Sequence, residues 1–270
     1  MNIDIQDIIG IVKQGAEIAT ARNFSISQKA GVENIVTSTD IAVQEFLCNK
    51  FLELIPESGF ICEEGDLNNQ SSAEYVWVID PIDGTTNYAR GISEYCISVA
   101  LMYRREVIMG VVYNPVKKEL FHATKGNGAY LNGKAISVSN RTFDNGILCT
   151  AMSLYRKEHA KVCSDIILDT YLKCNDVRRF GACALELCYL ASGLCDLYFE
   201  YRVMPWDYAA GHLILNEAGG TISGYNHEAL KLDLPTLLIG GNSAANHSKL
   251  VEIINSHIDP KTCNYDWREW

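Results

Sequence analysis

One stretch constrains this chain more than any other: Val76-Trp77-Val78-Ile79, followed at once by Asp80-Pro81-Ile82-Asp83-Gly84-Thr85-Thr86-Asn87. The four apolar residues read as a buried strand that stops at Asp80-Pro81. It delivers Asp80 to a strand's carboxyl end, where open α/β sheets place their ligands. Pro81 forces a turn, so Asp83 swings back beside Asp80 while the Ile82 carbonyl points into the same space. Gly84 lets backbone approach a ligand closely, and Thr85 and Thr86 begin a segment whose free N–H groups suit a phosphate. Two carboxylates and a carbonyl form a hard-oxygen set suited to Mg2+ rather than zinc. The same residues also read as an Asp-rich turn that only caps a helix, and alone they do not choose between the two.

Two other segments bear on that choice. Glu63-Glu64 follows the short strand expected at 59–62, again placing acid at a strand end. Trp206-Asp207-Tyr208-Ala209-Ala210-Gly211 sets Asp207 at the start of an apolar helix, where it is an ordinary N-cap or a further metal ligand.

Periodicity places these motifs in a layered fold. Helical spacing of apolar residues predicts a helix over 3–22 and a second after Thr37-Ser38-Thr39-Asp40, ended by Pro56. A meander of strands at 97–103, 107–113, 119–124 and 129–131 follows, the last closed by the hairpin dipeptide Asn132-Gly133. Beyond about residue 140 strands and helices alternate: strands at 146–151, 177–180, 196–200 and 236–240, helices at 157–173, 184–192, 206–218 and 248–257. The expectation is a layered α/β (α+β) fold in two halves, 1–140 and 141–270. The aromatic tail at 264–270 reads as either a docked or a disordered end.

Composition narrows the function classes. A formal charge of −10 argues against nucleic acid as the main partner, although acids can still hold an anion through captured cations. No apolar run approaches the ~20 residues that span a bilayer, and the first residues lack a signal peptide's pattern, so a cytoplasmic protein is expected. Ten cysteines include no C-x-x-C pair, and six histidines no H-x-x-x-H, which disfavours zinc and disulfide frameworks. The cysteines read as reduced core residues.

Taken together, Cys62-Glu63-Glu64, the D-P-I-D-G-T stretch and Trp206-Asp207-Tyr208-Ala209-Ala210-Gly211 resemble the signatures of the inositol monophosphatase family, lithium-sensitive and magnesium-dependent sugar phosphatases. Weaker matches run from Lys29 through Thr37-Ser38-Thr39-Asp40 and Arg178-Arg179-Phe180-Gly181 to Asn216-Glu217-Ala218-Gly219-Gly220, covering nearly the whole chain in order. The resemblance implies the sugar-phosphatase fold, with helix and sheet layers alternating αβαβα. It implies that Glu63, Asp80, the Ile82 carbonyl, Asp83 and Asp207 hold two or three Mg2+ ions. Asp40 and Thr85, with Glu63, would activate the attacking water, and Gly84 and Thr85 N–H groups would hold the phosphate, with Asp83 beside it. Gly181, Ala182, Cys183, Glu200 and Asp207 would line the alcohol part of the substrate. Such a centre hydrolyses a phosphomonoester without a covalent intermediate, the metals clamping attacking and leaving oxygens. A homodimer is implied as well.

Thr86-Asn87-Tyr88 resembles the inositol-phosphatase branch, whereas nucleotide- and histidinol-directed branches tend to carry Lys or Arg directly after D-G-T. Ala182 stands where many members have Ser or Thr, Cys183 where they have alanine, and Cys62 where some have glycine. Fructose 1,6-bisphosphate and nucleotide phosphates (phosphoadenosine phosphate, NADP) are the alternative substrates, and a regulatory binding protein on the same scaffold is the alternative class. An aspartyl-phosphate phosphatase would need D-x-D near the amino terminus; this chain has D-x-x-D in mid-chain.

Overall fold

The structure, a computed structural model, describes residues 3–21, 24–28, 35–64, 73–152, 157–232 and 234–258. Lys29, Cys263 and the aromatic tail lie outside them. Helix α1 (Ile5–Thr20) starts where the Asp4 carboxylate accepts the Gln6 N–H, and buries the stripe Ile8, Ile9, Val12, Ala16 and Ala19. A two-stranded antiparallel ladder, β1 (Ile26–Gln28) and β2 (Ile35–Thr37), leads into α2 (Ser38–Leu54). Thr37 and Asp40 form a reciprocal capping box there, so the polar cluster read as a cap is one.

A seven-stranded sheet follows, built in chain order. Its strands are β3 (Gly59–Cys62), β4 (Tyr75–Asp83) and, past α3 (Thr85–Arg90), β5 (Cys96–Tyr103), β6 (Glu106–Asn114), β7 (Glu119–Thr124), β8 (Ala129–Leu131) and β9 (Lys134–Ile136). β3 and β4 run parallel and every later neighbour is antiparallel. The turn between β8 and β9 has Asn132 at φ 50° and Gly133 at φ 77°, the left-handed pair that a two-residue hairpin needs.

The second sheet has five strands in the order β11-β10-β12-β14-β13. Its elements are β10 (Ile147–Ala151), α4 (Ala160–Tyr171), β11 (Asp176–Arg178), α5 (Cys183–Ala191), β12 (Leu197–Val203), α6 (Pro205–Glu217), β13 (Thr221–Ser223), β14 (Thr236–Gly241) and α7 (Ala244–His257).

Three buried clusters show the layering. The first packs α1 and α2 on one face of the large sheet through Val12, Leu47, Phe51, Trp77 and Leu101. The second fills the space between the sheets with α5 and α6, and takes residues from both sides of position 140. The third packs α4 and α7 on the outer face of the small sheet. The αβαβα order is therefore present. Small residues make the middle layer possible: a Cβ on Gly211 would lie 2.8 Å from the Leu187 side chain, and one on Gly110 3.0 Å from the Ala210 carbonyl. The Ala-Ala-Gly run of α6 thus sets how closely that helix meets α5 and the sheet.

Several expected elements changed in extent, among them the last helix, which starts at Ala244 instead of 248, and the strand expected at 196–200, which runs to Val203; two changes shape the site. The strand expected to stop at Asp80 continues to Asp83, with its pairing to β5 shifted between those two residues. Pro81 sits in that irregular step, where proline is tolerated in a sheet. The strand expected at 177–180 ends at Arg178, which frees Phe180 and Gly181 for a loop. All nine described cysteines are free thiols, and all but Cys174 are buried. Among the described residues, no helix is long and apolar enough to cross a membrane.

Candidate active site

The site forms where β3, β4, α5, β12 and α6 meet. The Ile82 N–H donates to Asp80 Oδ1 at 3.0 Å, a short local bond that folds the end of β4. Asp83 accepts the N–H groups of Cys183 (3.2 Å) and Ala184 (2.8 Å). The N-cap residue of α5, Ala182, makes no side-chain cap bond, so Asp83 caps this helix from another element. Glu63 follows β3, and Gln44 of α2 brackets the next residue: its Oε1 accepts the Glu64 N–H at 2.9 Å and its Nε2 donates to the Glu64 carbonyl. Asp207 is not the N-cap of α6. It stands two residues beyond Pro205 and accepts the N–H of the actual N-cap, Met204, at 2.7 Å.

Glu63, Asp80, Asp83 and Asp207 line one cleft of about 310 Å3, together with Ile82, Gly84 and Thr85. Burial pushes the Asp80 carboxyl well above the usual range, and the charges of Glu63, Asp83, Asp207 and Asp40 push it further. Burial raises Asp83 to about 6 against the pull of its amide donors. Asp207 is raised in the same way, first by burial and then by Asp83 and Glu63. Among the described residues no Lys or Arg forms a salt bridge with Asp80, Asp83 or Asp207. Buried acids that repel one another without a side-chain cation fit a hard divalent ion. No three of the described acidic, cysteine or histidine side chains stand close enough to enclose a metal unaided. Acids spread along a cleft suit Mg2+ in particular, because it dehydrates reluctantly and keeps several waters.

Asp40 lies behind this wall, fully buried, while Thr85 lines the cleft. Thr37 donates both its N–H (2.9 Å) and its hydroxyl to Asp40 Oδ2. The Thr85 hydroxyl lies 3.1 Å from Asp40 Oδ1 and 3.0 Å from the Ile82 carbonyl, each a possible acceptor. Burial raises the Asp40 carboxyl against these donors, which makes it a better proton acceptor. Gly84 holds φ at +89°, and a Cβ there would lie 3.0 Å from the Glu94 carbonyl and 3.1 Å from that of Gly181.

Gly181, Ala182, Cys183 and Glu200 line the same cleft. Asn87 ties them to the Asp-rich turn: its Nδ2 donates to the Glu94 carbonyl at 2.6 Å and the Phe180 carbonyl at 2.7 Å. Burial raises Glu200 to about 7, although the Tyr198 hydroxyl donates to it at 2.6 Å. Every site residue expected from sequence thus borders the cleft, except Asp40, which reaches it through Thr85. Sequence reading missed Arg179, Arg202 and Glu186, which also line it. Two of them carried a signal: Arg179 stands in the weakly matched Arg178-Arg179-Phe180-Gly181, and Glu186 is a lone acid in the apolar run Cys183-Ala184-Leu185-Glu186-Leu187-Cys188.

Comparison with known proteins bears on family and fold. The pattern defining the inositol monophosphatase family matches residues 2–259. The Nus factor SuhB of Vibrio cholerae serotype O1 is 34% identical over 251 residues, 91% of each chain. An IMPase from Thermotoga maritima superposes with a TM-score of 0.83 at 27% identity, covering 94% of this chain and 97% of that one. An IMPase/NADP phosphatase solved with Mg2+ and phosphate shares the fold, with a TM-score of 0.83 at 24% identity and coverage of 92% and 94%.

Proposed function

Because the chain belongs to the inositol monophosphatase family, we propose that it is a Mg2+-dependent phosphomonoesterase whose substrate is inositol monophosphate or a closely related phosphorylated polyol. The observation that carries this reading is the row of mutually repelling acids along one cleft, buried Asp80 and Asp83 with half-buried Asp207 and Glu63. Those residues and the Ile82 carbonyl would hold the magnesium, which supplies charge neutralisation for the phosphoryl oxygens.

The remaining chemistry falls to the chain itself. Thr85, tethered to Asp40, orients the attacking water, and the proton passes through the Thr85 hydroxyl to the Asp40 carboxylate. The N–H groups of Gly84 and Thr85 face the phosphate, where the left-handed Gly84 brings the backbone close. Glu200 accepts hydrogen bonds from hydroxyls of the alcohol, which favours a polyol over a nucleotide. Lithium inhibition and a homodimer belong to the same proposal.

The test is phosphate release, with and without Mg2+, from inositol 1-phosphate, fructose 1,6-bisphosphate, phosphoadenosine phosphate, histidinol phosphate and NADP. We expect Mg2+-dependent release with inositol 1-phosphate preferred; preference for the bisphosphate or a nucleotide reassigns the substrate. A second reading, a regulatory binding protein, is favoured by relatives named Nus factor. Release from none of the panel by metal-loaded protein would turn the assignment to it.

A further inference from the structure

One buried acid of the cleft has no part in the chemistry above. Glu186 lies in the first turn of α5, 1 % exposed, yet borders the cleft. Its Oε1 accepts the N–H groups of Phe180 (2.6 Å) and Gly181 (2.9 Å). Its Oε2 is buried and has no hydrogen-bond partner among the described residues. Buried carboxyl oxygens are paired in the great majority of cases, and leaving one unpaired costs about 1–3 kcal/mol. Two amides fix Oε1, and so they fix the direction of Oε2 as well.

Glu200 repeats the arrangement. The Tyr198 hydroxyl holds its Oε2 at 2.6 Å, while its Oε1 makes no hydrogen bond among the described residues and the carboxylate feels the charge of Arg179. Burial raises Glu186 well above the usual range, and the charges that add to this include Glu200 and Asp83, so these acids share one neighbourhood. Each of the two glutamates therefore has one oxygen tied by the protein and one left over.

We propose that Glu186 is a specificity-determining residue: with Glu200 it bonds two neighbouring hydroxyls of the alcohol moiety, so that the cleft selects phosphorylated polyols over phosphate esters of simple alcohols. The inference rests on the phosphatase reading above. Because Oε2 itself is buried, the contact is made across one ordered water beside the cleft, and the group on the protein is Glu186 Oε2. The contrary role is a purely structural one, in which Glu186 only holds the 180–182 loop through Oε1.

The test pairs enzyme and substrate changes. The native protein and Glu186→Ala are assayed with Mg2+ on inositol 1-phosphate, on its monodeoxy analogues and on p-nitrophenyl phosphate, which has no hydroxyl to read. In the native protein at least one deoxy analogue should lose about tenfold or more in kcat/KM, mostly through KM. In Glu186→Ala that penalty should shrink to about twofold, and inositol 1-phosphate should suffer about tenfold more than p-nitrophenyl phosphate. A deoxy penalty that survives undiminished, or equal losses on both esters, overturns the proposal in favour of loop support. Where Glu186→Ala does not fold, the same cycle is run on Glu186→Gln, whose amide oxygen still accepts both N–H groups. Failure of the native protein to hydrolyse any of these esters would instead sink the phosphatase reading, a result distinct from either Glu186 outcome.

Discussion

At the scale of single residues, the site on the proposed reading separates into acids that would gather charge and a pair that would move a proton. Asp80 sits at the centre of the first group, repelled by Glu63, Asp83, Asp207 and Asp40. Asp80→Asn removes one charge from that centre without changing shape. Turnover should fall by about a thousandfold or more, roughly 4 kcal/mol of transition-state stabilisation. The rise in melting temperature caused by millimolar Mg2+ should fall with it. Asp40 is different, because it meets the cleft only through the Thr85 hydroxyl. Asp40→Asn keeps an oxygen for the Thr37 cap but loses the proton acceptor. Its kcat should drop about a hundredfold, as loss of a general base does, while the Mg2+-induced shift in melting temperature remains. Calorimetry and steady-state kinetics on the two variants separate the roles. Equal metal-induced shifts in both would remove Asp80 from the metal site.

At the scale of elements, the parts legible in sequence are those that local rules dictate. The α2 cap, the Asn132-Gly133 hairpin and the apolar stripe of α1 each follow from residues next to one another in the chain. The end of β4 was not legible, because Pro81 reads as a terminator and only pairing with β5 shows the strand carrying on. The capping of α5 by Asp83 was hidden for the same reason, since donor and acceptor are a hundred residues apart. Glu186 was missed because an acid within a helical run reads as a solvated face until the packing around it is known. Glu217 shows what a weakly matched motif was for. Its carboxylate accepts the Gly126 N–H at 2.7 Å and the Gly128 N–H at 2.8 Å, fastening the end of α6 to the turn between β7 and β8. Glu217→Ala should cost about 1–2 kcal/mol, less than the upper range for bonds to a charged group because the side chain is partly exposed. Urea unfolding should show one transition with a lower midpoint and an unchanged slope. Two separate transitions would mean that the segments before and after residue 140 unfold independently.

At the scale of the whole molecule, two sets of buried groups pull stability in opposite directions with pH. His212 and His247 are both lowered by burial from 6.5 to about 4. The unfolded chain binds their protons first, so their contribution is complete above pH 6.5 and is lost as pH falls toward 4, on the order of 2 kcal/mol each. The cleft carboxyls do the reverse. Burial raises Asp83 from 3.8 to about 6 and Glu200 from 4.5 to about 7. Their protonated forms favour the folded state below about pH 4, and that advantage is lost as pH climbs through 6 and 7. Above pH 6.5 the histidines no longer change, so the metal-free protein should lose stability steadily toward pH 8. On the proposed reading magnesium would oppose this loss, because it would bind the ionised acids and compete with protons for the same oxygens. The rise in melting temperature produced by a fixed millimolar Mg2+ should therefore grow from pH 5 through 6.5 to 8, and at pH 5 should be nearly absent. K+ at equal ionic strength controls for screening. A Mg2+ effect that is flat with pH, or largest at pH 5, would place magnesium somewhere other than this row of acids.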